Sequence, residues 1–117
     1  TLVLVDTVKS DGPPGTVKSY RKDEILRHPP GPRVSPHDPG VKEALLTLEL
    51  AGGAPSEVIL VGVVPGFIGK SVVLTADVRE AVRRAAGEVV RILGGLGLPP
   101  VPRPDPRPVE PWWTRAS

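Results

Sequence analysis

Several chemical groups are absent from this sequence. None of its 117 residues is cysteine, which excludes thiolate nucleophiles, thiolate metal ligands and disulfides together. Phe, Tyr and Trp make up only 3% of the residues, which argues against the aromatic platforms on which nucleic-acid bases stack. The formal net charge is only +2, so nothing demands a nucleic-acid partner. No run of about 18 apolar residues occurs, and the sequence therefore predicts no membrane-spanning helix.

Methionine is also absent, including at the first position, where the chain opens directly on the apolar run of residues 2–5. A domain rarely begins inside a buried strand, so we expect this chain to be N-terminally truncated. Proline is abundant, with 16 residues, and prolines recur from Pro99 to Pro111. This distribution predicts an incomplete folded domain over residues 1–97 and a proline-rich, disordered tail over residues 98–117.

The apolar pattern predicts strands and helices in alternation. Residues 2–8 and 57–64 are continuous apolar runs, typical of central parallel strands covered on both faces, and residues 16–20 favour a short edge strand. Helical spacing predicts one helix that starts near Asp38 and Pro39 and another between Thr75 and Gly94. We expect most of residues 21–36 to be loop. This order predicts an α/β fold, which a missing N-terminal βαβ unit would complete.

Two side chains are candidates for a site. Asp6 lies at the C-terminal end of a predicted central strand, at the sheet edge where open α/β folds bind ligands, and His37 precedes a predicted helix. A carboxylate and an imidazole together suit nickel, zinc or iron, although a complete site needs at least one more ligand. The alternatives are an Asp6 that only hydrogen-bonds the next turn and a solvated His37. His28 is expected to face solvent, and Asp38 is better explained as a helix cap.

Two further motifs carry less weight. The segment Gly69-Lys70-Ser71 suggests a phosphate loop, but Val64 stands where the Walker pattern requires its first glycine. A nucleotide site is therefore a remote alternative. The pair Trp112-Trp113 lies in the proline-rich tail and is expected to be a hydrophobic chain end.

Five fragments of the sequence follow one another in the order that is typical of one protein family. They are residues 2–8 (LVLVDTV), 12–17 (GPPGTV), 35–38 (SPHD), 58–63 (VILVGV, with Pro65 close behind) and the opening of the last helix at Leu74, Thr75 and Val78. In this order and spacing they resemble hydrogenase maturation proteases, which process the large subunit of nickel–iron hydrogenases. The likeness covers roughly residues 1–96, and the tail lies outside it.

The resemblance implies a three-layer α/β sandwich around a twisted, mostly parallel sheet. The family's metal-site residues are a Glu or Asp, an Asp and a His. Asp6 stands at the position of the second and His37 at that of the third. The first belongs to a Gly-x-Gly-Asn segment that has no counterpart in this chain. The family's metal is thought to be the nickel of the substrate itself.

The resemblance therefore implies a cytoplasmic, aspartyl-type endopeptidase that removes the C-terminal extension of a hydrogenase large-subunit precursor after nickel insertion. A metal held by Asp6 and His37 would polarise the scissile carbonyl or activate water, or Asp6 would act as general base. The alternative is a non-catalytic remnant or binding module that lacks the first metal-site carboxylate. The sequence of the loop between Val64 and Leu74 differs from the one usual in the family, which leaves precursor specificity open.

Overall fold

The computed structural model describes residues 1–27, 40–69, 71, 73–108 and 110. Three strands and three helices lie within these residues. In chain order they are β1 (Leu2–Thr7), β2 (Val17–Arg21), α1 (Lys22–Arg27), α2 (Val41–Leu50), β3 (Val58–Val63) and α3 (Ala76–Gly95). The predicted α/β class is confirmed.

β3 is the middle strand of a mixed, three-stranded sheet in the order β1-β3-β2. β1 runs parallel to β3, with Leu2 opposite Val58 and Thr7 opposite Val63. β2 runs antiparallel to β3, with Val17 opposite Val63. All six residues of β3 are buried, which confirms the two-sided cover expected of its unbroken apolar run. The edge position predicted for β2 is also confirmed.

The sheet separates two apolar clusters, so the fold has three layers. On one face, residues 59, 61 and 63 of β3 pack against Ala81, Ala85 and Ile92 of α3. On the other face, Val58 and Leu60 pack against Ile25 of α1 and Leu45 of α2. Strand alternation explains this division, because successive side chains of β3 point to opposite faces of the sheet.

The prediction that β1 is a central strand is wrong for the described sheet, although Val3 and Leu4 pack on the apolar clusters of its two faces. Among the residues that the structure describes, β1 pairs only with β3 and forms one edge of the sheet. Val3 and Leu4 are half-buried, whereas Leu2 and Val5 are 37% and 56% exposed. The apolar run therefore correctly indicated a parallel strand, but a run of this kind does not reveal how many neighbours the strand has.

A short helix, α1, occupies part of the segment expected to be loop. The carboxylate of Glu24 accepts the backbone N–H of Arg21 at 2.7 Å, which satisfies one donor just before the helix begins. The side chain of Ile25 is buried between the sheet and α2, and Arg27 pairs with Asp23 one turn away. Ile25 is the one buried residue of this helix, so the sequence of α1 has no repeating apolar pattern from which a helix could be predicted.

α2 begins slightly later than expected. Its N-cap residue is Gly40, whose N–H donates to the Glu43 carboxylate at 3.2 Å, and Asp38 and Pro39 lie outside the described residues. The predicted end is confirmed. The chain turns at Gly52, where φ is +74°, and the N–H of Gly53 donates to the carbonyl of Leu48.

α3 begins and ends close to the predicted positions, with Thr75 as the N-cap residue. Helical spacing predicts a buried stripe made of Val78, Val82, Ala85, Val89 and Leu93. The buried face differs from it, because Val82 is 51% exposed while Ala81 is completely buried. The small side chains of Ala81 and Ala85 let the helix backbone approach the sheet closely. No helix in the described part of the chain is long and apolar enough to cross a membrane. Residues 98–108 contain neither helix nor strand.

Candidate active site

Asp6 lies near the carboxyl end of β1, one residue before the strand ends at Thr7. Its Cα partner across the ladder is Gly62 in β3. Since β1 and β3 are parallel, their carboxyl ends open on the same edge of the sheet, where α/β folds bind ligands. The side chain of Asp6 is exposed at this edge. The structure thus places Asp6 at the expected edge, although on an outer strand of the described sheet rather than a central one.

One oxygen of the Asp6 carboxylate is engaged by the neighbouring backbone. Oδ1 accepts the backbone N–H of Thr7 at 2.7 Å. This bond comes from the next residue rather than from the residue two positions on that an Asx turn uses, and it orients the carboxylate. Within the described ranges, Oδ2 receives no hydrogen bond.

Strand alternation sets the face on which Asp6 lies. Leu4, Asp6 and Val8 follow one another at intervals of two residues, so they share one face of the sheet. Leu4 and Val8 both pack on the apolar cluster that contains residues of α1 and α2. Asp6 therefore belongs to the side of the sheet that α1 and α2 cover.

The direction of α2 brings its first residue toward the same edge as Asp6. Lys22 forms an ion pair with Glu49 in the last turn of α2, and its Nζ also donates to the carbonyl of Pro55 at 2.8 Å. Arg21, next to Lys22, pairs with Glu57 just before β3. The end of α2 is thus close to the start of β3. Because α2 lies in the connection between the parallel strands β1 and β3, we infer that it runs back across the sheet and begins toward the carboxyl edge.

His37 precedes Gly40 by three positions and lies outside the described residues, as do His28 and Asp38. The described ranges contain no group of three or more His, Cys, Asp or Glu side chains able to hold a metal ion. Of the two side chains predicted for the site, the structure thus describes Asp6 alone. Lys70 of the remote phosphate-loop alternative is also outside the described residues, and α3 begins only at Ala76.

An apolar cavity lies beside Asp6 on the α3 side of β1. Its volume is about 390 Å³. Its lining consists of Val5, Asp6, Thr7, Val63, Leu74, Val78, Val82, Ala85 and Ala86. The side chain of Asp6 shares the opposite face of the sheet with Leu4 and Val8, so this cavity is an apolar surface separate from the carboxylate.

The pKa shifts in the described part of the chain occur at the opposite edge of the sheet from Asp6. Glu88 of α3 accepts hydrogen bonds from Arg91 and from Ser19 of β2, at 2.9 Å and 3.0 Å. These bonds lower the pKa of Glu88 from 4.5 to about 2, and they raise the pKa of Arg91. The pair links α3 to β2 and takes no part in the chemistry near Asp6.

The family model for hydrogenase maturation proteases (HycI) matches residues 1–92. The chain belongs to the hydrogenase maturation protease family. It is 32% identical to the hydrogenase expression/formation protein HoxM of Cupriavidus necator over 87% of its own length and 51% of that protein. It is 29% identical to the hydrogenase 2 maturation protease of Escherichia coli, over 87% and 62% of the two chains. The chain thus spans between half and two-thirds of the length of these relatives.

The fold also matches a solved member of this hydrogenase maturation protease family. The hydrogenase maturating endopeptidase HybD of E. coli superposes with a TM-score of 0.73 at 28% sequence identity. The match covers 87% of this chain and 63% of HybD. The family named from five sequence fragments is confirmed, and so is its α/β fold.

Sequence reasoning missed one close contact at the site of this maturation protease-like chain. Gly62, opposite Asp6, interrupts the branched apolar run of β3, and its missing side chain leaves room for Val8. A glycine inside a strand often marks a place where another group approaches the backbone closely. That signal was present in the sequence, but the identity of the approaching residue depends on the register between β1 and β3.

Proposed function

We propose that this protein is an aspartyl-type endopeptidase that removes the C-terminal extension from the large-subunit precursor of a nickel–iron hydrogenase. Cleavage follows nickel insertion and takes place in the cytoplasm, and the nickel is part of the substrate rather than a resident cofactor. Residues 1–97 form the protease-like domain, and residues 98–117 are a tail outside it. The observation that carries the proposal is the exposed carboxylate of Asp6 at the carboxyl edge of the sheet in a member of this family.

Asp6 and His37 are the two residues to which we assign the chemistry. The single backbone bond from Thr7 orients the Asp6 carboxylate and leaves Oδ2 for the substrate's nickel or for the attacking water. The antiparallel course of α2 supports the pairing with His37, because it directs the N-terminal end of that helix to the Asp6 edge. A neutral imidazole and a carboxylate together suit nickel.

Two substitutions test this assignment in a cleavage assay with nickel-loaded precursor. We expect Asp6→Asn and His37→Ala each to slow cleavage by about 10²–10⁴-fold, the contribution of a general base or of a lost metal contact. The matched controls are Asp105→Asn, an exposed aspartate in the tail, and His28→Ala, the other histidine of the chain. Both controls should cleave at the unmodified rate. Normal cleavage by Asp6→Asn or His37→Ala removes that residue from the site.

Binding measurements separate the roles left open for Asp6. If Asp6 contacts the nickel, Asp6→Asn should bind nickel-loaded precursor more weakly and nickel-free precursor equally well. If Asp6 acts only as general base, both forms of the precursor should bind normally while cleavage remains slow. A protein with unmodified Asp6 and His37 that binds the precursor without cleaving it would support the alternative of a non-catalytic binding module.

A further inference from the structure

The end of β1 that carries Asp6 is tied to β3 by the residue two positions further on. Val8 donates its backbone N–H to the carbonyl of Val63 at 3.0 Å, which extends the ladder beyond the strand. Its side chain is half-buried and packs on the apolar cluster beneath α1 and α2. Asp6 therefore lies between two anchored neighbours on the same face, Leu4 on one side and Val8 on the other.

The anchoring of Val8 depends on the absence of a side chain at Gly62. A Cβ atom built on Gly62 would lie 2.5 Å from Cγ2 and 2.6 Å from Cγ1 of Val8. Both distances are far shorter than the contact distance of about 3.5–4.0 Å between carbon atoms. Val8 thus fills the space that any other residue at position 62 would occupy. Gly62 is also the Cα partner of Asp6, so this contact occurs directly beside the carboxylate.

We propose that Gly62 and Val8 are positioning residues for the Asp6 carboxylate, an inference that rests on the function proposed above. Thr7 lies between Asp6 and Val8, and its N–H is the donor that holds Oδ1 of Asp6. A side chain at position 62 displaces Val8, the displacement moves the Thr7 N–H, and the carboxylate loses its orientation. The packing of a glycine against a valine thereby sets the direction of a group that acts on the substrate.

Single and double variants test whether the side chain of Val8 fits only when position 62 has no side chain. Gly62→Ala introduces the colliding methyl group, and Val8→Ala in the same protein removes the two atoms that it strikes most closely. Gly53→Ala is the control, because a Cβ at Gly53 meets nothing within 4 Å. Two readouts apply to each variant: the amide proton signal of Thr7 by NMR, and the kinetics of precursor cleavage.

We expect Gly62→Ala to shift the Thr7 amide signal and to lower kcat by up to about 10²-fold with little change in KM, since displacement of a reacting group mainly affects the chemical step. Adding Val8→Ala should return both readouts toward the unmodified values, and Gly53→Ala should change neither. An unshifted Thr7 signal in Gly62→Ala refutes the inference, and so does a double variant no better than Gly62→Ala alone.

The cleavage data also distinguish this inference from the proposed function. If Gly62→Ala shifts the Thr7 signal without slowing cleavage while Asp6→Asn is inactive, only the positioning role is lost. If Asp6→Asn also cleaves normally, the proposed function itself is wrong. Should Gly62→Ala fail to fold, Val8→Ala alone decides the question. It removes the same packing without adding an atom, so faster hydrogen exchange at Thr7 is expected, and unchanged exchange refutes the inference.

Discussion

Gly15 provides a sharp test of how the turn before β2 is held against α3. It is buried, its φ angle is +86°, and a Cβ atom there would lie 2.7 Å from the backbone oxygen of Asp77 in the first turn of α3. Gly52 at the end of α2 has a similar φ of +74°, but a Cβ there meets nothing within 4 Å. Alanine therefore strains the backbone at both positions and creates a collision only at Gly15.

The two substitutions should differ by the free energy of that collision. An L-residue at positive φ costs about 1–2 kcal/mol, offset by roughly 0.4–1 kcal/mol from the lower entropy of the unfolded chain. Gly52→Ala should therefore destabilise the fold by about 0–1.6 kcal/mol. At Gly15 the struck atom belongs to a helix backbone and cannot rotate away, which adds an overpacking term of about 1–3 kcal/mol.

Relief of the collision requires the start of α3 to move away from the turn. That movement would also stretch the hydrogen bond from Nη2 of Arg84 to the carbonyl of Gly15, which is 2.8 Å long. Urea unfolding of both variants measures the difference, as a lower midpoint for Gly15→Ala at an unchanged slope. Free energies of unfolding that agree within about 0.5 kcal/mol would refute the reasoning, because surface-like changes fall in that range.

Two further predictions concern the core and the link between α3 and β2. Val61→Ala should destabilise the fold by about 2–3 kcal/mol, because it loses transfer free energy and leaves a residual cavity. The side chain of Val101 is 87% exposed, so Val101→Ala should change the free energy of unfolding by less than about 0.5 kcal/mol. Equal values for the two variants in urea unfolding would contradict the packing described. Because the folded-state pKa of Glu88 is lowered to about 2, its ionised form stabilises the fold above pH 4.5, and this contribution is lost as the pH falls from 4.5 to about 2. The melting-temperature gap between the unmodified chain and Glu88→Gln should therefore close over that pH range, and a gap that persists unchanged at its lower end contradicts the assignment.

The fold was predictable where a residue's neighbours in sequence determine its surroundings. The branched apolar run of β3 requires cover on both faces, and the glycines after α2 and at the end of α3 stop those helices. The edge position of β1 was not predictable in the same way. Its residues 2–5 are as apolar as those of a central strand, and the number of paired neighbours is a property of the sheet rather than of the strand.

The candidate site likewise has features that were predictable from the sequence and features that were not. The place of Asp6 at a carboxyl edge follows from the length of one apolar run and the parallel pairing that the run implies. The contact between Val8 and Gly62 depends on the register of two segments far apart in the chain, so no local pattern contains it. The short helix α1 was missed because Ile25 is its only buried residue, which is too little to form a periodic signal.

The order of strands in the sheet has a consequence for how the site is made. β1 and β2 are consecutive in sequence, yet they lie on opposite sides of β3 and cannot form a hairpin with each other. Leu2 finds its partner only when Val58 is available, and the carbonyl of Thr16 accepts the N–H of Val64 only after β3 is in place. Folding of the described sheet therefore waits for β3, the last of its three strands in sequence, as expected of a topology dominated by distant contacts. The carboxylate of Asp6, near the beginning of the chain, acquires its fixed neighbours in the same late step that completes the core.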